Sequence, residues 1–110
     1  MSTRLRIIDR NGPEWAALPS DFWKLPEHWG LMWRMPDEDV DGLEAWFIVL
    51  PNGAGGWTTT DRAGIRGTGF PAQKGPRWTV TGTPPNITVT PSIDASPQWH
   101  GWIKDGEMTP

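Results

Sequence analysis

Two histidines and a few hydroxyl and carboxyl groups are the residues of this chain that could take part in chemistry. The histidines are His28 and His100, and the chain has no cysteine. Zinc takes about four ligands drawn from cysteine, histidine and carboxylate, and one histidine without such neighbours cannot assemble that set. The sequence therefore predicts no metal site and no cofactor. It predicts that His100 is a half-buried strand residue that hydrogen-bonds a backbone group.

Serine and aspartate chemistry finds little support in the sequence. Ser92 has no histidine–aspartate relay around it in sequence and no Gly-x-Ser-x-Gly elbow. Asp94 and Asp105 could in principle act as paired carboxylates in acid–base catalysis. Aspartate at a strand end or before glycine is, however, a common turn residue. We therefore expect turns at both aspartates, no catalytic residue, and a protein that is not an enzyme.

The elements that must position these residues are predicted to be strands. Residues 43–110 form a predicted β domain. The run 46–50 is apolar throughout and is followed by Pro-Asn-Gly at 51–53, which is typical of a central strand that ends in a turn. A last strand is predicted over 99–104, followed by a tight Asp-Gly turn at 105–106.

The middle of this region predicts a hairpin. Apolar and threonine residues alternate around Val80 and again around Val89, as in strands with one buried face. The connection 82–85 ends in two prolines, which cannot donate to a ladder and belong in a turn. Residues 61–76 are predicted to be a loop rich in glycine and proline. The predicted fold is mainly β, as a small antiparallel sandwich or a partly open barrel.

Residues 1–42 are predicted to be an irregular N-terminal arm with short helical turns. Prolines interrupt this segment at positions 13, 19, 26 and 36, and each removes a backbone donor. The arm is nevertheless aromatic, and such side chains suit binding hot spots. We expect it to fold back onto its own domain or to dock on another chain. The predicted anchors are Trp15, Phe22, Trp23, Trp29 and Trp33, and Trp57, Trp99 and His100 are further candidates for binding.

Charge and hydropathy exclude several partners. The net charge is −3 and the pI about 5.2, whereas a general nucleic-acid binder needs a basic face. No apolar run is long enough to span a membrane, and the N-terminus lacks the apolar core of a signal peptide. We therefore expect neither nucleic acid nor membrane as a partner, and a protein made and kept in a cytoplasm.

Several motifs occur together in the second half of the chain. They are Trp46 to Gly53, then Trp78, then the stretch from Pro85 through Pro91-Ser92-Ile93, then His100-Gly101-Trp102-Ile103-Lys104-Asp105-Gly106. Over about residues 46–107 this order resembles a family of small bacteriophage and prophage proteins that often carry the label ammonia monooxygenase. Relatives would have Cys or His where this chain has Leu50, Ala54 and Trp99, so only His100 of a metal-type set is kept.

The resemblance implies a phage origin and a compact β module. We therefore expect a non-catalytic phage accessory protein that acts by protein binding, such as a decoration component of the virion. The alternatives are an intracellular phage protein that binds and inhibits a host protein or signalling ligand, and a degenerate metal-dependent enzyme. The expected partner is a phage structural subunit or a second copy of the chain, and the expected location is the virion or the host cytoplasm.

Overall fold

The computed structural model describes residues 2–39, 42–60 and 78–110, and their strands form two sheets. One sheet has five strands in the order β1-β9-β8-β7-β6, and the other has four in the order β2-β3-β4-β5. Neither closes into a barrel, so the mainly β prediction is confirmed in its sandwich form. The strands are β1 Thr3–Arg4, β2 Arg6–Ile7, β3 Leu31–Arg34, β4 Trp46–Leu50, β5 Gly55–Thr58, β6 Thr79–Thr83, β7 Asn86–Ala95, β8 Trp99–Lys104 and β9 Glu107–Thr109.

The N-terminal segment contributes strands as well as helical turns. Helix α1 spans Pro13–Ala16, and 3-10 turns span Phe22–Lys24, Pro26–His28 and Pro36–Glu38. Proline begins three of these four elements, where its missing N–H is not needed. The prediction did not contain β1, β2 and β3, and it gave 99–104 as the last strand, whereas β9 follows it. Because β1 pairs with β9 and β3 pairs with β4, both sheets use residues from each side of position 42, and the proposed domain division there stays a prediction.

The main core lies between the two sheets. It takes Ile48 and Trp57 from the four-stranded sheet and Val89, Ile93 and Ile103 from the five-stranded sheet. Along β8 the side chains alternate strictly between buried and exposed, because successive residues of a strand point to opposite faces. The buried set faces the core. The exposed set, His100, Trp102 and Lys104, therefore lies on the outer face of the five-stranded sheet.

A second apolar cluster covers the other face of the four-stranded sheet. Leu31, Trp33 and Val49 are buried there, and side chains of the N-terminal segment pack against them. Strands β3 and β4 are thus covered on both faces, which explains why β4 reads as an uninterrupted apolar run. The described residues form three layers: the N-terminal segment, the four-stranded sheet and the five-stranded sheet.

Strands β7 and β8 pair with an irregularity in the middle. Val89 pairs with Ile103, but Ile93 pairs with Gly101, so β7 has two more residues than β8 in this interval. The hairpin of β6 and β7 is regular, with Thr83 opposite Asn86, as predicted. The predicted loop at 61–76 lies outside the described residues.

Candidate active site

Ser92 and His100 form a hydrogen-bonded pair on the outer face of the five-stranded sheet. The distance from Ser92 Oγ to His100 Nε2 is 2.9 Å. The serine is half-buried and the imidazole is exposed, so the pair is accessible from solvent. A hydroxyl within hydrogen-bond reach of an imidazole is the arrangement that activates a serine nucleophile.

The irregularity in β7 brings this pair together. In the ladder of β7 and β8, the residue directly opposite His100 is Asp94. Ser92 is two positions away on the same face, where a regular sheet separates side chains by about 7–8 Å diagonally. Ser92 lies within the bulged interval between Val89 and Ile93, and bulges bend a strand and re-aim its side chains. The serine hydroxyl thereby comes within hydrogen-bond distance of the imidazole.

The backbone of Ser92 is held by the indole of Trp78, which lies directly before β6. Trp78 Nε1 donates a hydrogen bond to the Ser92 carbonyl oxygen at 3.2 Å. Trp78 packs edge-on against Trp57, with 5.5 Å between ring centroids, and Trp57 belongs to the main core. The position of the serine is thus tied to the interior of the sandwich.

The His100 imidazole is oriented by stacking. Its ring lies 5.7 Å from the ring of Trp102 with an interplanar angle of 26°. In a Ser-His-Asp triad a carboxylate hydrogen-bonds Nδ1 and fixes the ring. Within residues 2–39, 42–60 and 78–110, no carboxylate makes that hydrogen bond. The described site is therefore a serine–histidine dyad, with an aromatic ring beside the imidazole.

Asp94 places a negative charge next to the dyad. Its pKa is lowered, first by a hydrogen bond with the Ser96 side chain, then by one with the Ser96 backbone, and to a smaller extent by the charge of His100. The Ser96 N–H donates to Asp94 Oδ1 at 3.0 Å. The carboxylate thus takes part in the turn after β7 and lies directly opposite His100 in the ladder.

The sequence prediction for these residues differs from the structure in two respects. His100 was expected to be half-buried and to bond a backbone group, but it is exposed and bonds the Ser92 hydroxyl. Ser92 was set aside because no relay is evident near it in sequence. The available signal was the spacing in the hairpin: a turn near Pro97 places Asp94 opposite His100 and puts Ser92 on the same face. A strand that continues through Pro91 was not predicted.

The predicted arm anchors pack on the chain's own four-stranded sheet. Trp33 is buried and stacks on Phe47 at 4.7 Å between centroids. A hollow of about 330 Å³ remains over this sheet, lined by Trp15, Phe22, Trp23, Trp33, Phe47, Gly55 and Gly56. Trp29 packs against the same cluster. Whether any of these side chains also binds another chain stays a prediction.

The remaining candidates are core residues. Trp57 and Trp99 are each 4% exposed and belong to the main core. In the described part of the chain, no three His, Cys, Asp or Glu residues are grouped so that they could hold a metal ion. No helix in that part is long and apolar enough to cross a membrane.

One protein family resembles this chain over its C-terminal half. A family model described as "Bacterial ubiquitination-like system serine protease (BubE)" matches residues 59–110, just under half of the chain. This stretch contains β6 to β9 with Ser92, His100 and Asp94. Searches of curated proteins and of solved structures give no match.

This match corrects the functional expectations from the sequence. The resemblance to a phage family labelled ammonia monooxygenase was wrong, since the matching family is a serine protease family. The predicted non-catalytic phage accessory role, its inhibitor and degenerate metalloenzyme alternatives, and the prediction that the protein is not an enzyme are contradicted in the same way. The motifs at 91–93 and 100–102, which had suggested the phage family, hold the Ser–His pair. The predicted protein partner and location stay predictions.

Proposed function

We propose that this chain is a serine hydrolase that acts as a protease of a bacterial ubiquitination-like system. The observation that carries the proposal is the 2.9 Å contact between Ser92 Oγ and His100 Nε2. The family match supports it independently, because the matched region contains both residues and the family is described as a serine protease.

In the proposed reaction, Ser92 is the nucleophile and His100 is the general base. Ser92 Oγ forms a bond to the substrate carbonyl carbon while its proton passes to His100 Nε2. The imidazolium then gives that proton to the leaving amine as the carbon–nitrogen bond breaks, which leaves an acyl-enzyme. Water, deprotonated by the same nitrogen, releases the acid and restores the serine.

Asp94 and Trp102 assist the base in different ways. The carboxylate of Asp94 stabilises the positive charge that His100 carries in each proton transfer. The indole of Trp102 restricts the rotation of the imidazole, which keeps Nε2 directed at Ser92 Oγ. Neither residue needs to exchange a proton with the substrate.

The test is labelling with a fluorophosphonate, which reacts with activated serines, followed by intact-mass measurement and peptide mapping. We expect one adduct, on Ser92, and none in Ser92→Ala. In His100→Gln the labelling rate should fall at least about 100-fold, because general-base catalysis contributes about 10²–10⁴-fold. Because the His100 side chain is exposed, its replacement should leave the fold intact, and the circular dichroism spectrum checks this.

The matched control is Ser20→Ala, which removes a serine that is more exposed than Ser92 and should leave the labelling unchanged. Labelling of several serines, or labelling of Ser92 at the same rate in wild type and His100→Gln, would contradict the proposal. The absence of any adduct on folded wild-type protein would also contradict it.

A further inference from the structure

Trp102 differs from every other tryptophan of the chain in its exposure. The chain has nine tryptophans, all within the described residues, and Trp102 is the one whose side chain is largely exposed, with 49% of its surface accessible. Burying an indole is strongly favourable because of its large apolar area. An exposed tryptophan in a protein that buries or half-buries the other eight therefore calls for an explanation.

The surroundings of Trp102 connect it to the dyad. It is two residues beyond His100 on β8, on the same outer face, and its ring stacks against the imidazole. A single exposed apolar residue is ordinary on a protein surface. This one stacks on the proposed general base, which itself hydrogen-bonds the proposed nucleophile, so it lies beside the place where a substrate would react.

We propose that Trp102 is an apolar subsite that binds a large aliphatic or aromatic side chain next to the scissile bond. This inference rests on the proposed function and specifies its substrate class. A substrate side chain that covers the free indole surface removes apolar area from water on both sides, which favours binding. A substrate glycine has no side chain that could cover the indole. Substrates with a large apolar side chain at this position are therefore preferred.

The first test compares three small esters in a pH-stat, which records the released acid. N-acetylglycine methyl ester has no large side chain, N-acetylphenylalanine methyl ester has one on the acyl side, and N-acetylglycine benzyl ester has one on the leaving side. With rates normalised to hydroxide hydrolysis, wild-type kcat/KM should be about tenfold higher for one aromatic ester than for the glycine methyl ester, within the range known for apolar pockets. The ratio should fall to near one in Trp102→Ala and persist in Trp102→Phe.

The control is Leu43→Ala, which removes another exposed apolar side chain and should leave the ratio unchanged. If the wild type hydrolyses all three esters but Trp102→Ala keeps the same ratio, the subsite is wrong while the proposed function stands. If the ratio is near one already in the wild type, the subsite is also wrong.

A binding measurement tests the subsite without any reaction. N-acetylphenylalaninamide, titrated into the wild-type protein, should shift the indole N–H resonance of Trp102 in a nitrogen–proton NMR spectrum. The resonance is assigned by its loss in Trp102→Phe, and N-acetylglycinamide should leave it in place. An unmoved resonance would overturn the inference, and this readout remains valid if the esters are not hydrolysed, which would count against the proposed function alone.

Discussion

Asp94 and His100 face each other directly across strands β7 and β8, and the carboxylate of Asp94 is fixed there by Ser96. Its pKa is lowered, chiefly by the hydrogen bonds from Ser96, so the charge persists below the usual titration range of a carboxyl group. We predict that Asp94→Asn lowers kcat by roughly threefold to tenfold, a modest factor because solvent and salt screen an exposed charge. The asparagine keeps an oxygen for the Ser96 N–H, so the melting temperature should change little.

The matched control for this charge is Asp105→Asn, at the turn between β8 and β9 beyond the other end of β8. Asp105 has a φ of 48°, which asparagine also adopts readily. The same charge is lost, but far along the strand from His100, so kcat should remain as in the wild type. Equal effects of the two substitutions would mean that net charge, and not the position of Asp94, affects the reaction.

Trp78→Phe tests whether the hydrogen bond to the Ser92 carbonyl positions the nucleophile. Phenylalanine keeps an aromatic ring against Trp57 but loses the donor that lies 3.2 Å from the Ser92 oxygen. We expect kcat to fall about tenfold, less than the ~100-fold that a 1 Å misplacement of a reacting group can cost. The loss of stability should be about 1 kcal/mol, the net value of one hydrogen bond. Steady-state kinetics and urea unfolding measure the two effects.

Trp57→Phe is the matched control for Trp78→Phe. The Nε1 of Trp57 is buried and has no hydrogen-bond partner among the described residues, so its removal breaks no such contact. Turnover should therefore stay close to the wild-type value. A fall equal to that in Trp78→Phe would show that ring packing, and not the hydrogen bond, determines the serine position.

Gly101→Ala should destabilise the strand that carries His100. A Cβ at this position would overlap the Thr109 carbonyl oxygen and the Trp99 ring. Neither the β9 backbone nor the buried indole can move freely, so we expect a loss of about 3 kcal/mol or more in the free energy of unfolding, at the upper end of what overpacking costs. Gly53→Ala meets no atom within 4 Å and only has to adopt a φ of +73°, at a cost of about 1–2 kcal/mol. Urea denaturation of both variants gives the comparison, and equal losses would contradict the packing explanation.

The pairing of Arg34 with Asp39 predicts a pH-dependent stability. The pKa of Asp39 is lowered, first by the side-chain hydrogen bond from Arg34 and then by the Ala45 backbone N–H. Because the folded-state pKa is below the unfolded one, the contribution to stability is complete above the unfolded value of about 3.9 and is lost as the pH falls through the folded value. Asp39→Asn should therefore unfold at lower urea than wild type at pH 7, and the difference should shrink steadily in acid.

Asp37→Asn is the matched control for the pH experiment. It removes a carboxylate from the 3-10 turn Pro36–Glu38, which Asp39 follows directly, and Asp37 has no ion pair or hydrogen bond among the described residues. Its unfolding midpoint should follow that of the wild type at both pH values. A pH-independent difference between Asp39→Asn and wild type would rule out the proposed linkage.

Strands β4 and β8 could be predicted from sequence because the patterns that indicate them are local. Strand β4 is a continuous apolar run over 46–50 that a Pro-Asn-Gly turn follows, and β8 over 99–104 is followed by an Asp-Gly turn, and both strands occur with these bounds. Strands β1 to β3 could not be predicted in the same way. The first two have two residues each, and they exist because distant strands offer them backbone partners, which a local pattern does not contain.

The candidate site could not be predicted because it depends on the bulge in β7, which the local sequence pattern does not indicate. Proline at position 91 argues against a strand, since it cannot donate to the ladder. The chain nevertheless continues as β7 through Pro91 by inserting the bulge. The prediction therefore stopped near Thr90, and Ser92 was not placed beside His100. The spacing of eight residues between them becomes meaningful only once both strands are known.

The bulge in β7 also takes Ser92 out of the pairing between β7 and β8. On either side of residues 90–92, pairs such as Val89 with Ile103 and Ile93 with Gly101 hold β7 to β8. Between these pairs the serine backbone has no Cα partner on β8. The Ser92 carbonyl oxygen is instead bonded by Trp78 Nε1 at 3.2 Å, so its backbone is positioned by a side chain and not by the ladder of β7 and β8. The flanking pairs therefore hold the hairpin together, while a residue outside that hairpin determines where the serine lies.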